Sequence, residues 1–458
     1  MLVKPLKISL FSKNEHQLLA VINKIAIAGF GLIIALLITS KLTPEQQGLH
    51  FLFQSLIGFS ALAEMGVTYS VIQLTSKALG KKALSRVDNR RLVGARYLLF
   101  TVKWFVFASI CSAAILGPVG QYWIMMGKNL GGQNVGDYTF FWYILVISNS
   151  VTLFGNGLLG FFEGYGDISG ANLSRIVINT VYHSTIVAGM YCGFEAKSIV
   201  LGSCAANIAF LCVVFQKYRK QVTTLLRLAL SRSLKVDWIN EIKPFQTRIS
   251  ISWLSGFVAN QLTLPLIYRY LGSIEAGRVG LSLQLCSVLN GISIAWPLAS
   301  ASKLARAFAL NEHHRRRIIF RNDLMVSIAI FSILVILLIS SISMVSMLNI
   351  FDANRIVPVK IILFVLIPLA FVTHLSNLLA IYIRSSGVEP LTKCSIVTSM
   401  LTLSLNIYCI PRFGPLGAIL PTTIVAALIS LPWIYFHYIK DNCLYGVPQK
   451  RIQFENIK

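Results

Sequence analysis

Apolar residues gather along the 458-residue chain into twelve windows, at roughly 17–40, 49–74, 97–119, 138–162, 172–192, 197–216, 249–270, 278–302, 322–349, 359–383, 393–411 and 415–438. Each is near the ~20 residues a helix needs to cross a ~30 Å hydrocarbon core, where a helix satisfies its own backbone hydrogen bonds. The pattern predicts an all-α polytopic membrane protein of twelve transmembrane helices. Most connections are short, and the longest on the outer side, Gly120 to Asp137, leaves no room for an extracellular domain. The connection Lys217 to Arg248 differs from the rest. Its Leu225, Leu226, Leu230, Leu234 and Trp238 recur at near-helical spacing among Arg227, Arg232 and Lys235, the pattern of an amphipathic helix on a leaflet surface. The expected organisation is an N-terminal six-helix lobe (1–216), a cytoplasmic amphipathic linker (217–248) and a C-terminal six-helix lobe with a short tail (249–458).

The two halves read as copies. Leu42-Thr-Pro-Glu-Gln-Gln-Gly48 joins windows 1 and 2, and Leu271-Gly-Ser-Ile-Glu-Ala-Gly277 joins windows 7 and 8, 229 residues further on. Asn156, Gly166 and Gly193 correspond to Asn377, Gly387 and Gly414 in a second register of 221 residues. Six spans repeated once, both copies starting on the same side, predict two lobes related by a pseudo-two-fold axis along the membrane normal.

Charge adds orientation. Of 41 Lys and Arg, 31 lie at the termini or in every second gap, and only eight in the gaps between. By the positive-inside bias both termini and the basic gaps are cytoplasmic. A mean hydropathy of +0.69 with 55% hydrophobic residues excludes a soluble domain of this length. The net charge of +24 sits mostly in short loops beside spans, where membrane lipid headgroups attract it, so no nucleic-acid partner is expected. The eight cysteines show no metal-ligand spacing, and no metal site is predicted. The N-terminal apolar run is of full span length without a small-residue cleavage site, so it is expected to remain in the mature protein.

Ionisable residues inside apolar windows are costly and therefore informative. Lys24 lies about seven residues, roughly 10 Å, into window 1, and Lys103 lies about as deep in window 3. The two are candidates for a cationic cavity lining, against the alternative of snorkelling or pairing with Glu64. Glu64, near the middle of window 2, is the candidate ion-coupling carboxylate, or else a structural counter-ion. His183 and His374 fit buried, hydrogen-bonded roles better. Window 7 carries a polar stripe with Arg248, Ser252, Ser255, Asn260 and Gln261, suited to a cavity wall or to close helix packing. Arg269, Gln284 and Asn290 extend the candidate set in the second lobe. Pro265, Pro297, Pro368, Pro421 and Pro432 permit bending of second-lobe spans. No GxxxxGK[ST], HExxH or GxSxG element and no paired carboxylates are present, so transport fits better than catalysis, and the chain is not expected to be an enzyme. A polysaccharide polymerase or ligase would need a long outer loop, which the chain lacks.

The stretch from Ile38 to Ser70, with its L-x-P-E-x-x-G turn, resembles the first two spans of bacterial O-antigen and polysaccharide flippases. Arg412-Phe-Gly-Pro-Leu-Gly-Ala418 is similar to the G-x-x-G-A turn before their twelfth span, and Gly387 to a glycine after their tenth. Many relatives carry an Asp-Arg pair in span 7, where this chain has Leu264-Pro265 leading to Tyr268-Arg269. The resemblance implies membership in the multidrug, oligosaccharidyl-lipid and polysaccharide exporter superfamily. It implies a bacterial inner-membrane flippase that moves an undecaprenyl-pyrophosphate-linked repeat unit outward by alternating access. The implied partners are that glycolipid, a polysaccharide polymerase and a chain-length regulator, with no cofactor beyond a coupling ion, H+ or Na+. The alternative is a cation-coupled small-molecule antiporter of the multidrug type.

Overall fold

The computed structural model describes residues 15–80, 87–126, 135–234, 236–238, 243–347, 353–386 and 390–444, and no strand occurs among them. The helices form twelve spans. Span 1 is Glu15–Lys41, and span 2 runs in three pieces, Pro44–Gly58, Ser60–Glu64 and Val67–Gly80. Spans 3, 4 and 5 are Val87–Met125, Val135–Tyr165 and Ile168–Tyr191. Span 6 is Ser198–Val213, continued through a π turn, Val214–Tyr218, into Arg219–Ser231. Span 7 is Lys243–Leu271, span 8 is Ser273–Ser293 with Ala295–Ala309, and span 9 is His313–Met347. Span 10 is Val359–Ile361, a π turn Ile362–Leu366 and Ile367–Ser385, and span 11 is Thr392–Phe413. Span 12 is Leu416–Val425, a π turn Ala426–Ser430 and Leu431–Leu444.

Several helices overrun their apolar windows. Span 3 has 39 residues, about 58 Å at 1.5 Å per residue, because the basic residues at its start end the hydrophobic stretch without ending the helix. What does end helices here is capping and steric exclusion. Between spans 1 and 2, Thr43 and Gln46 form a capping box, the Gln46 amide donating to Thr43 Oγ1 (3.3 Å) and the Thr43 amide to Gln46 Oε1 (3.1 Å). Pro44 occupies the first turn, where its missing N–H costs nothing. The π turns of spans 10 and 12 lie just before Pro368 and Pro432, whose rings clash with the carbonyl four residues back and force the helix to widen there.

The repeat is visible in the packing. Span 1 lies on span 5 as span 7 lies on span 11, and contacts of 5 with 6, 2 with 4 and 4 with 6 recur as 11 with 12, 8 with 10 and 10 with 12. Amide side chains fasten the first of these pairs in each lobe, Asn179 to Asn23 (3.2 Å) and Asn406 to Thr263 (3.2 Å).

The connection between lobes differs from the expected surface helix. Arg219–Ser231 prolongs span 6, and its apolar face, with Leu225 and Ala229 buried, packs against span 3 rather than on lipid. A helix that meets a protein surface of matching polarity buries its stripe there. The adjoining loop between spans 4 and 5 is held by polar contacts. Asp167 caps span 5, accepts from the Tyr218 hydroxyl (2.9 Å) and pairs with Lys217 (3.0 Å), while Arg175 pairs with Glu163 (2.5 Å).

Candidate functional site

The lobes meet along spans 1, 2, 7 and 8. At the end of the bundle where connections carry little charge, spans 2 and 8 cross through Gly48 and Gly277, the two glycines that the repeat superposes. A Cβ on Gly48 would lie 2.0 Å from the Ser273 carbonyl oxygen, and one on Gly277 would lie 2.9 Å from the Gly48 nitrogen. Only glycine permits that approach. Gln47 next to it is 1% exposed, and its Nε2 donates to the carbonyls of Gly277 and Arg355, both at 2.9 Å. Gln46 Nε2 donates to Glu195 Oε2 at 2.5 Å.

Toward mid-membrane the contacts remain symmetric in pattern. Ser55 Oγ donates to the Gln261 carbonyl (2.5 Å), joining span 2 to span 7, and Gln284 Nε2 donates to the Gly31 carbonyl (3.1 Å), joining span 8 to span 1. Ser55 and Gln284 stand in the 229-residue register. Gln284 Oε1 and Asn290 Oδ1, both on span 8, are buried acceptors without a donor among the described residues. Such groups take up water, a cation or a polar solute where one can reach them.

Toward the basic end both crossing spans bend, span 2 by 42° and span 8 by 41°. The bends fall at Met65 and Ile294, again 229 residues apart. Their causes differ. Span 2 is broken by left-handed backbone at Met65 (φ 48°) and Gly66 (φ 70°). In span 8, Pro297 cannot donate to the Ser293 carbonyl, and Ser327 Oγ of span 9 donates to it instead (2.6 Å). Ser327 has spent its one proton there, so His374 Nε2, 2.9 Å away, carries the proton between them and His374 Nδ1 is left as a bare acceptor. At the span 2 bend, the Ser250 hydroxyl donates to the Met65 carbonyl (2.8 Å) across the lobe boundary.

The buried core divides the same way. One continuous cluster at the low-charge end draws on both lobes, including Ile38, Leu49, Leu52, Leu266, Val279 and Leu366. Among the described residues there are two clusters at the basic end, one confined to the first lobe around Leu98, Phe161 and Phe162, the other to the second around Leu304, Phe320 and Ile383. The described residues thus form a core shared by the lobes at one end and separate cores at the other.

The residues singled out from sequence distribute unevenly over this frame. Gln261 and Gln284 lie at the lobe boundary in contacts between helices, and Asn290 lies on span 8. Glu64, half-buried, directly precedes the span 2 bend and has no hydrogen-bond or ion-pair partner among the described residues; the alternative of a Glu64–Lys103 pair does not form. Lys103 departs from the expectation of a cavity lining. It is exposed on the outer side of span 3, on the helix face that carries Phe107 (63% exposed) and Ile110 (63% exposed), and lines a lateral groove with Trp238. Periodicity placed it on a face without saying which way that face turns. Arg269 is exposed near the low-charge end of span 7, its guanidinium over the Tyr270 ring, and so stands outside the crossing. The side chains of Lys24, Arg248 and Asn260 lie outside the described residues. His374, fully buried, stacks on Phe331 (5.0 Å) and bonds Ser327, the role expected of it, whereas His183 stacks on Phe30 (5.4 Å) but is only partly buried, its Nδ1 without a partner among the described residues.

Sequence reasoning passed over Asp323. It is 4% exposed within span 9 and bonded to Ser300 of span 8. Lying two residues after Arg321 at the edge of its apolar window, it reads as a loop residue until the helix is seen to continue.

No protein-family profile and no curated protein sequence matches this chain. Solved structures share its architecture. An inward-facing multidrug resistance MATE family transporter of the MOP superfamily superposes with a TM-score of 0.63 at 13% identity, covering 94% of this chain and 100% of that chain. A MOP superfamily transporter from Pyrococcus furiosus, described by a reversed polarity of its binding pocket that suggests a different function, gives 0.60 at 14% identity, covering 93% and 98%. An outward-facing multidrug resistance MATE family transporter of the same superfamily gives 0.56 at 14% identity, covering 94% and 98%. The chain has this superfamily's fold, twelve helices in two lobes.

Proposed function

We propose that this chain is a multi-pass transporter of the bacterial inner membrane, both termini cytoplasmic, that works by alternating access as a cation-coupled antiporter of small organic molecules. The observation that carries the reading is that, among the described residues, the lobes share a core at the low-charge end and have separate cores at the basic end. Two rigid bodies joined at one end and parted at the other make a cleft that opens on one side of the membrane at a time. The higher similarity to an inward-facing than to an outward-facing relative of the fold supports the same pose. Coupling falls to Glu64, an ionisable group inside the membrane beside a bend, where binding H+ or Na+ changes the cost of burying it. Gln284 and Asn290 supply acceptors for a polar or cationic solute.

The flippase reading rests on the resemblance at Ile38–Ser70. A pyrophosphate needs cations in the cleft, and Lys103 stands outside it, which favours the antiporter. Uptake of a fluorescent organic cation into proteoliposomes under an imposed H+ or Na+ gradient tests the proposal. The intact chain is expected to drive gradient-dependent movement, and Glu64→Gln to abolish the gradient dependence while leaving expression unchanged. Gradient-independent movement in both proteins overturns the coupling. Accumulation of a single undecaprenyl-linked repeat unit in a strain lacking the gene, with unaltered sensitivity to organic cations, would restore the flippase reading.

A further inference from the structure

The groove at Lys103 lies apart from the lobe boundary and has its own chemistry. It measures about 450 Å³ and runs between span 3, which contributes Arg96, Lys103, Trp104 and Phe107, and the segment after the span 6 helix, which contributes Leu234 and Trp238. Trp104 and Trp238 stack across it at 6.4 Å, an aromatic pair of the kind that settles at headgroup depth. The Lys103 ammonium has no hydrogen-bond, ion-pair or ring partner among the described residues, and the side chains continuing its face, Phe107 and Ile110, are each 63% exposed. A cation is thereby held beside an apolar strip, about two helical turns from the Arg96 position that marks the basic end of the groove.

We infer that this groove binds one anionic glycerophospholipid of the leaflet at the basic end, its headgroup phosphate on Lys103 and an acyl chain along Phe107 and Ile110. Three features select that occupant. The cation demands an anion, the strip beside it demands a chain, and span 3 packs within the first lobe, on spans 2 and 4 and on Arg219–Ser231, with this apolar face left exposed. Leu234 and Trp238 belong to the connection that leads into span 7, so the bound lipid ties span 3 of one lobe to the link with the other.

Native mass spectrometry of the intact chain in neutral detergent, titrated with phosphatidylglycerol or with phosphatidylcholine of the same chains, tests this. One phosphatidylglycerol is expected to be retained preferentially. Lys103→Gln should weaken it about fivefold, the worth of one basic residue near an anionic lipid surface, whereas Lys393→Gln, a lysine at the same end but off the groove, should leave it unchanged. Equal retention of the two lipids, no effect of Lys103→Gln, or the same loss with Lys393→Gln overturns the assignment. Binding of glycerol phosphate as tight as that of the lipid overturns it as well, since the site would then be one for a free phosphate. Preference for undecaprenyl phosphate over phosphatidylglycerol would overturn the choice of lipid.

Discussion

The two ends of the lobe boundary are built on different principles. At the low-charge end the contact is backbone against backbone, two glycines crossing with a carboxamide clasping two carbonyls. In the basic half it includes a serine hydroxyl on a carbonyl between spans 2 and 7, at the span 2 bend. Close-packed crossings are sensitive to volume, whereas an exposed hydrogen bond is nearly neutral to lose. The first end is therefore the one that mutation should disturb, and the second the one that should move without help.

The largest effect is expected from Gly48→Leu. A side chain directed at the Ser273 backbone should cost about 3 kcal/mol or more, the upper part of the overpacking range, and should unseal the crossing. In a cysteine-free background carrying Leu56→Cys, a position 1% exposed in the shared core, the thiol should become reactive to a membrane-impermeant reagent. Gly291→Ala is the matching control, since nothing lies within 4 Å of a Cβ there. Continued protection of the thiol in the Gly48 variant would mean that the crossing is not the seal. Next comes Gln47→Leu, which removes two hydrogen bonds worth about 1 kcal/mol each. The open population should rise about 30-fold by the same labelling, and a rise confined to the Gly48 variant would assign the seal to packing alone. Smallest is Ser250→Ala, expected to change thermal stability and labelling by under about 0.5 kcal/mol; a loss as large as that of Gln47→Leu would erase the distinction between the ends.

Much of this architecture is legible in the sequence because it follows from period and solvent. Twelve apolar windows, the alternation of charge and the Gly48–Gly277 spacing lead to the two-lobe fold without knowledge of any contact. The bends are less legible. Pro297 announces one, but the other rests on Met65 in a left-handed conformation that only its neighbour Gly66 hints at. The polar residues of spans 7 and 8 were visible as a set, since a carboxamide in an apolar window is conspicuous whatever it touches. The facing of Lys103 was not, because a helix with apolar residues all round gives no bearing on which side meets lipid and which meets protein. The contacts of Asp167 with Lys217 and Tyr218, and of Asp323 with Ser300, join positions far apart along the chain and have no local signature.

One consequence of the glycine crossing concerns history rather than mechanics. At a two-fold axis a residue's neighbour is its own counterpart, so in a chain assembled from two like halves a change there would once have struck both partners at once. Fusion into a single polypeptide lifts that coupling. Ser55 and Gln284 record the freedom gained: equivalent in register, they have become different side chains that still perform one task, reaching across to the carbonyl of the opposite lobe. Gly48 and Gly277 have had no such latitude, and their shared identity is what remains of the duplication where geometry forbade divergence.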